Sequence, residues 1–260
     1  MPTRTSAPKG APCWTDLWTS DVDASRAFYG ELFGWEAQEP SPEFGGYFMW
    51  HRDGIPVAGG MGQMGPDMPA QNIWTIYLAT DDIEKALEVA ETEGAAVTAG
   101  AMPVADLGIQ AILDDPTGAR VGLWQAGTFP GFTVLEEHGA PAWSELHTRE
   151  HAKAVGFYRA VLGWGTVVVG DSDEFRYTVL HDNESGYDLA GIMDASGFLP
   201  EGVPAHWSIY WAVDDARSAA GRVVELGGAV IAEPEDTPYG VLATVTDPAG
   251  AVFKLRQIPQ

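Results

Sequence analysis

Positive charge is what this sequence has least of: 14 Lys and Arg stand against 37 Asp and Glu in 260 residues, a formal charge of −23. A phosphate backbone or an anionic lipid surface is repelled by such a field, so neither nucleic acid nor membrane is an expected partner. The acidic residues are spread along the chain and read as a solvated face. Cysteine is almost absent. Cys13 cannot close an internal disulfide by itself, which fits a cytoplasmic protein. Met1 to Ala11 is short and polar, with no apolar run, so neither a signal peptide nor a span is expected. Also missing are a Walker loop, a dinucleotide fingerprint and a nucleophile elbow. Gly59-Gly60-Met61-Gly62 has no following Lys-Ser/Thr and reads as a strand approached closely by a ligand or neighbouring backbone.

What is abundant is apolar and aromatic. Hydrophobic residues make up 45% and charged ones 20%, a globular balance, and ten residues are Trp. The chain also repeats itself. Trp14-Thr15-Asp16-Leu17 returns as Trp143-Ser144-Glu145-Leu146, Phe28-Tyr29 as Phe157-Tyr158, and Gly34-Trp35 as Gly163-Trp164. Trp74-Thr75-Ile76-Tyr77 returns as Trp207-Ser208-Ile209-Tyr210, and Asp115-Pro116-Thr117-Gly118 as Asp247-Pro248-Ala249-Gly250. Matches in this order mark a duplication.

Each copy reads as two units, a strand followed by a helix and further strands. In the first copy, strand 13–20 precedes a helix capped by Asp21 or Asp23 and stopped by Gly34. Strands at 46–51 and 55–61 complete that unit. The next has a strand at 72–79, a helix from Ile83 to Glu93, and strands near 95–99, 109–113 and 120–125. The Asp-Pro-x-Gly tetrads are turns. The divisions are 1–12, a flexible lead-in; 13–126, a first domain; 127–141, a linker docked through Phe129, Phe132 and Leu135; and 142–260, a second domain.

A strand followed by Asp, Ala-x-x-Phe-Tyr and Leu/Phe-Gly-Trp, with Asp-Pro-x-Gly before the last strand, resembles the vicinal oxygen chelate superfamily. That superfamily includes glyoxalase I, bleomycin-resistance proteins and extradiol dioxygenases. The two-domain actinobacterial glyoxalase-like type is the nearest in arrangement. The resemblance implies an α+β fold: a tandem duplication of paired βαβββ modules, each domain a curled mixed sheet forming a cup with helices outside. It also implies three metal ligands on the cup floor. Aligned on Phe28-Tyr29, those positions fall on Trp14, Thr75 and Gly122, then on Trp143, Ser208 and Lys254. None suits a divalent ion. No cofactor is therefore expected. The alternative is a shifted set in the second domain, Glu145, His147 and His206, with the right strand parity for a metal.

Alternate strand residues share a face. Trp14, Asp16, Trp18, Tyr77, Arg120 and Trp124 are therefore expected to line the first cup. Trp143, Glu145, His147, Ser208, Tyr210 and Lys254 are expected to line the second. Asp16 and Glu145, present in both copies, are expected to accept backbone N–H groups, and Glu145 to pair with Lys254. Aromatic walls suit a flat ligand. The expected function is metal-independent binding of an aromatic or polycyclic small molecule, in resistance, sequestration or antibiotic biosynthesis. Two alternatives stand beside it. One is an oxygenase or hydroxylase, isomerase or lyase, with Glu145 or His147 catalytic. The other is a scaffold. The chain is expected to be a monomer or homodimer.

Overall fold

The computed structural model describes residues 4–63, 71–182 and 185–258. The first copy runs β1 (Pro12–Trp18), α1 (Val22–Phe33), β2 (Glu36–Ala37), β3 (Phe48–Arg52), β4 (Ile55–Met61), β5 (Ile73–Ala79), α2 (Ile83–Thr92), β6 (Ala96–Val104), β7 (Gly108–Asp114) and β8 (Arg120–Ala126). The second runs β9 (Pro141–Thr148), α3 (His151–Leu162), β10 (Gly165–Asp171), β11 (Arg176–His181), β12 (Asp188–Asp194), β13 (His206–Val213), α4 (Ala216–Glu225), β14 (Ala229–Thr237), β15 (Gly240–Thr246) and β16 (Val252–Gln257). Each copy makes one eight-stranded mixed sheet, in the order β2-β3-β4-β1-β5-β8-β7-β6 and β10-β11-β12-β9-β13-β16-β15-β14. The two modules of a copy thus pair with each other, through antiparallel β1–β5 and β9–β13.

Local chemistry explains the helix ends. The Asp21 carboxylate accepts from Ala24 N–H and Asp82 from Lys85 N–H, while Gly34 takes the left-handed conformation that ends α1. Helix α3 begins at Glu150 without a side-chain cap.

The helices cover one face of each sheet, and the two helix-covered faces share a single apolar cluster. It runs from Leu17, Phe28 and Trp74 of the first copy to Trp207, Trp211 and Phe253 of the second. Trp211 meets Trp35 at 4.8 Å and Trp74 at 5.5 Å between ring centroids. Two hydrogen bonds lock the copies reciprocally: Tyr29 Oη donates to Asp247 Oδ2 (3.2 Å) and Tyr158 Oη to Asp115 Oδ2 (2.8 Å). Both aspartates belong to the Asp-Pro-x-Gly turns, so those turns also join the copies.

The opposite, concave faces carry separate clusters, and they differ. On the first, Cys13, Trp14, Tyr77 and Trp124 are roofed by Phe129, Phe132 and Leu135 of the segment joining β8 to β9. Trp14 lies 4.8 Å from Phe129 and 5.3 Å from Phe132. Two hydrogen bonds hold this roof: the Phe132 backbone N–H donates to Cys13 O (2.7 Å), and the Trp124 indole Nε1 donates to Phe129 O (3.0 Å). From Arg4 onward the lead-in read as flexible is tied to it, Arg4 donating to Phe132 O and Pro12 O. Residues 1–3 of that lead-in lie outside the described residues.

Candidate functional site

Strand register decides which side chains meet. On the second sheet Tyr210 stands opposite both Trp143 and Lys254, Ser208 opposite Glu145, and His206 opposite His147. Glu145 is buried and is the hub. It accepts from Tyr177 Oη (2.7 Å), Tyr210 Oη (2.8 Å) and His147 Nε2 (2.5 Å). Lys254 Nζ donates to Tyr210 Oη (2.8 Å) and lies 3.0 Å from His147 Nε2 and 3.5 Å from Glu145 Oε1. Trp143 Nε1 donates to Tyr177 Oη at 2.9 Å. The expected Glu145–Lys254 pair is thus present inside a larger network.

Electrostatics follow from this packing. Burial opposes ionisation of Glu145, but the His147 hydrogen bond and the Lys254 charge outweigh it and hold the carboxyl at about 2. Burial lowers Lys254, against the pull of Glu145, and lowers His206, against its hydrogen bond to Pro204.

The first sheet repeats the outline without its charges. Asp16 accepts from Trp14 Nε1 (2.9 Å) and Tyr47 Oη (2.8 Å). Here Trp18 replaces His147 and Gly122 replaces Lys254, opposite Tyr77. Among the described residues no cation pairs with Asp16, and burial outweighs the donors and raises it to about 6. Asp16 and Glu145 therefore accept from side chains, not from backbone N–H groups as expected. The physical reason is that β1 and β9 are central strands, paired on both edges, so their N–H groups are already spent in the ladders.

Tyr47 and Tyr177 are the site residues that sequence reasoning missed. The signal was available in glycine. A Cβ on Gly59 would stand 2.0 Å from Tyr47 Oη, and one on Gly191 would stand 1.8 Å from Tyr177 Oη. These glycines, opposite Asp16 and Glu145, keep room for each tyrosine–carboxylate bond.

Two expected cup residues are otherwise engaged. Arg120 is held by Asp114, its cross-strand partner, at 2.9 and 3.2 Å. Trp124 is closed under Phe129. Tyr77 and Trp14 are buried beneath the roof, while Trp18 ends β1 half-buried.

The residues do not fit a metal. Trp14, Thr75 and Gly122 bring no imidazole or carboxylate to the expected ligand positions of the first cup. In the second, the Lys254 ammonium lies 3.5 Å from Glu145 Oε1 and 3.0 Å from His147 Nε2, and its charge repels a cation. His206 Nδ1 donates to Pro204 O (3.0 Å) and does not join the other two. Among the described residues no group of three or more His, Cys, Asp or Glu is placed to hold an ion.

A cavity of about 450 Å³ is lined by residues that include Trp143, Tyr187, Leu189, Phe132, Leu135 and Arg4, and it meets the network at Trp143. Around the second cup Phe198 is 57% and Tyr187 72% exposed. Among the described residues no helix is long and apolar enough to cross a membrane.

Two sheets of paired βαβββ modules, each with helices on one face and a polar floor on the other, define the vicinal oxygen chelate class of fold. The chain belongs to the Glyoxalase/Bleomycin resistance protein/Dioxygenase superfamily, whose family model matches residues 13–123 and again 141–255. It is 38% identical, over the full length of both chains, to CFP32 of Mycobacterium tuberculosis (strain CDC 1551 / Oshkosh), a protein provisionally named a glyoxylase. It is 37% identical to the anthracycline biosynthesis protein DauV of Streptomyces sp. (strain C5), covering 96% of this chain and 94% of that one. Among solved structures, the Mn(II)-bound glyoxalase of Novosphingobium aromaticivorans superposes with a TM-score of 0.64 at 17% identity, over 96% of this chain and 82% of that one. The 2,3-dioxygenase LapB of Pseudomonas sp. KL28 superposes with a TM-score of 0.63 at 17% identity, over 98% and 96%. At such identities the likeness is one of fold.

Proposed function

We propose that the protein binds a flat aromatic or polycyclic small molecule in its second cup, without a metal ion. The carrying observation is the asymmetry of the two concave faces. The first is roofed by Phe129 and Phe132, whereas the second keeps Trp143 partly open beside a hydrogen-bonded Glu145–His147–Tyr210–Lys254 floor. Aromatic walls would desolvate the ligand, and the floor would orient its oxygen atoms. The name of DauV places that relative in anthracycline biosynthesis, which is consistent with a polycyclic ligand here.

The test is a titration with quinizarin, a dihydroxyanthraquinone, read by calorimetry before and after exhaustive treatment with a chelator. Affinity should be unchanged by the chelator, and Trp143→Ala should weaken it about tenfold or more. Loss of binding on metal removal, or equal binding by W143A, would refute the reading.

A further inference from the structure

We infer that the second cup is a metal-free proton-transfer site for enolisable aromatic ketones, with His147 as the base and Lys254 holding the enolate oxygen. This rests on the binding reading above and adds a reaction to it.

The inference begins with one nitrogen that has two neighbours. His147 Nε2 lies 2.5 Å from Glu145 Oε1 and 3.0 Å from Lys254 Nζ. A ring nitrogen carries either a proton or a lone pair, so it cannot satisfy both. Glu145 also receives two tyrosine hydroxyls and the Lys254 charge, all of which favour its anionic form. An anionic carboxylate at that distance requires the proton on Nε2. Two consequences follow. In its neutral form the imidazole then keeps its lone pair on Nδ1, which has no hydrogen-bond partner among the described residues and keeps some solvent contact. Lys254 cannot donate to Nε2, so its ammonium spends one N–H on Tyr210 and retains others. The His147 and Lys254 side chains keep 8% and 14% of their surface, so each side chain stays in partial contact with solvent.

A base oriented by a carboxylate, next to a cation with donors to spare, is the minimum set for moving a proton α to a carbonyl. In the forward step Nδ1 takes the α-proton, and the C–H electron pair becomes the C=C bond. The carbonyl π pair moves to oxygen as an enolate beside Lys254. Return of the proton to carbon from either face, or to oxygen, completes an isomerisation. No oxidant or metal enters the balance. Glu145 acts through His147 and is a positioning residue.

The experiment follows deuterium exchange at C1 of 2-tetralone in buffered D2O by proton NMR, with calorimetric binding of the same ketone measured in parallel. Wild-type protein should accelerate exchange over buffer. His147→Gln and Lys254→Met should each remove about 10²-fold of that acceleration while still binding the ketone. Bound ketone that exchanges at the buffer rate overturns the proton-transfer site and leaves the binding reading standing. Exchange undiminished in H147Q overturns the assignment of the base. Failure to bind 2-tetralone at all counts against both. The wild-type measurement alone decides if a variant does not fold.

Discussion

At the residue scale, Asp16 and Glu145 occupy one position in two copies and have opposite charge economies. Glu145 has a cation and an imidazole beside it and titrates at about 2, below its ordinary 4.5. Among the described residues Asp16 has only neutral donors beside it, and it titrates at about 6, above its ordinary 3.8. The stability Glu145 contributes is complete above about pH 4.5 and is lost as pH falls towards 2. That of Asp16 is complete below about pH 3.8 and is lost as pH rises through 6. Asp16→Asn should therefore gain on wild type between pH 4.5 and 7.5, by about 1–3 kcal/mol. Glu145→Gln should be most damaging near pH 7 and less so near pH 3, because the ammonium of Lys254 then lacks its counter-charge. Urea unfolding of both variants at several pH values measures this. Parallel curves would contradict the opposed environments. From sequence, the pairing of Glu145 with Lys254 was legible through strand parity. Tyr47 and Tyr177 were not legible in periodicity, and their trace in the sequence is the facing glycines, Gly59 and Gly191, which make room for them without naming them.

At the scale of elements, the segment from Gly127 to Ala140 shows how connection becomes core. Its Phe129, Phe132 and Leu135 could be read as docked, since three large apolar residues in a polar linker need cover. Where they dock could not be read, because a concave face announces itself only through strand curvature. Phe132 is buried and meets Trp14, and its N–H bonds to Cys13. Phe132→Ala should cost about 3–5 kcal/mol in chemical denaturation, as for other buried Phe truncations. A loss under 1 kcal/mol would mean the roof is not packed. The first sheet was legible: the Asp-Pro-x-Gly turn and the Gly34 stop helped to set most of its strand and helix limits within a few residues, and the repeat carried the pattern to the second copy. The two-residue β2 was not anticipated, having only Glu36 and Ala37 to signal it.

At the scale of the whole molecule, the copies are joined through their helix-covered faces and not merely strung together. Tyr158 donates to Asp115 and accepts from Trp207 Nε1 at 2.8 Å, so its hydroxyl serves both copies at once. Tyr158→Phe leaves a buried carboxylate oxygen and a buried indole N–H without that partner, at about 1–3 kcal/mol. Because the apolar cluster is continuous, the variant should still unfold in one calorimetric transition, shifted down by several degrees. Two separated transitions would show that the copies melt independently. Sequence revealed the duplication but not this docking, since the residues concerned look like ordinary core positions in either copy.

The tryptophans at that junction have an optical consequence. Trp35, Trp50 and Trp74 of one copy and Trp211 of the other lie in a chain, with neighbouring ring centroids 4.8 to 6.2 Å apart at fixed tilts. Indole transition dipoles held that close couple, so the assembled protein should carry an exciton couplet in its circular dichroism. The share of that signal due to Trp211 exists only while Trp211 sits beside Trp35 and Trp74, which makes it a native, label-free reporter of whether the two copies are docked.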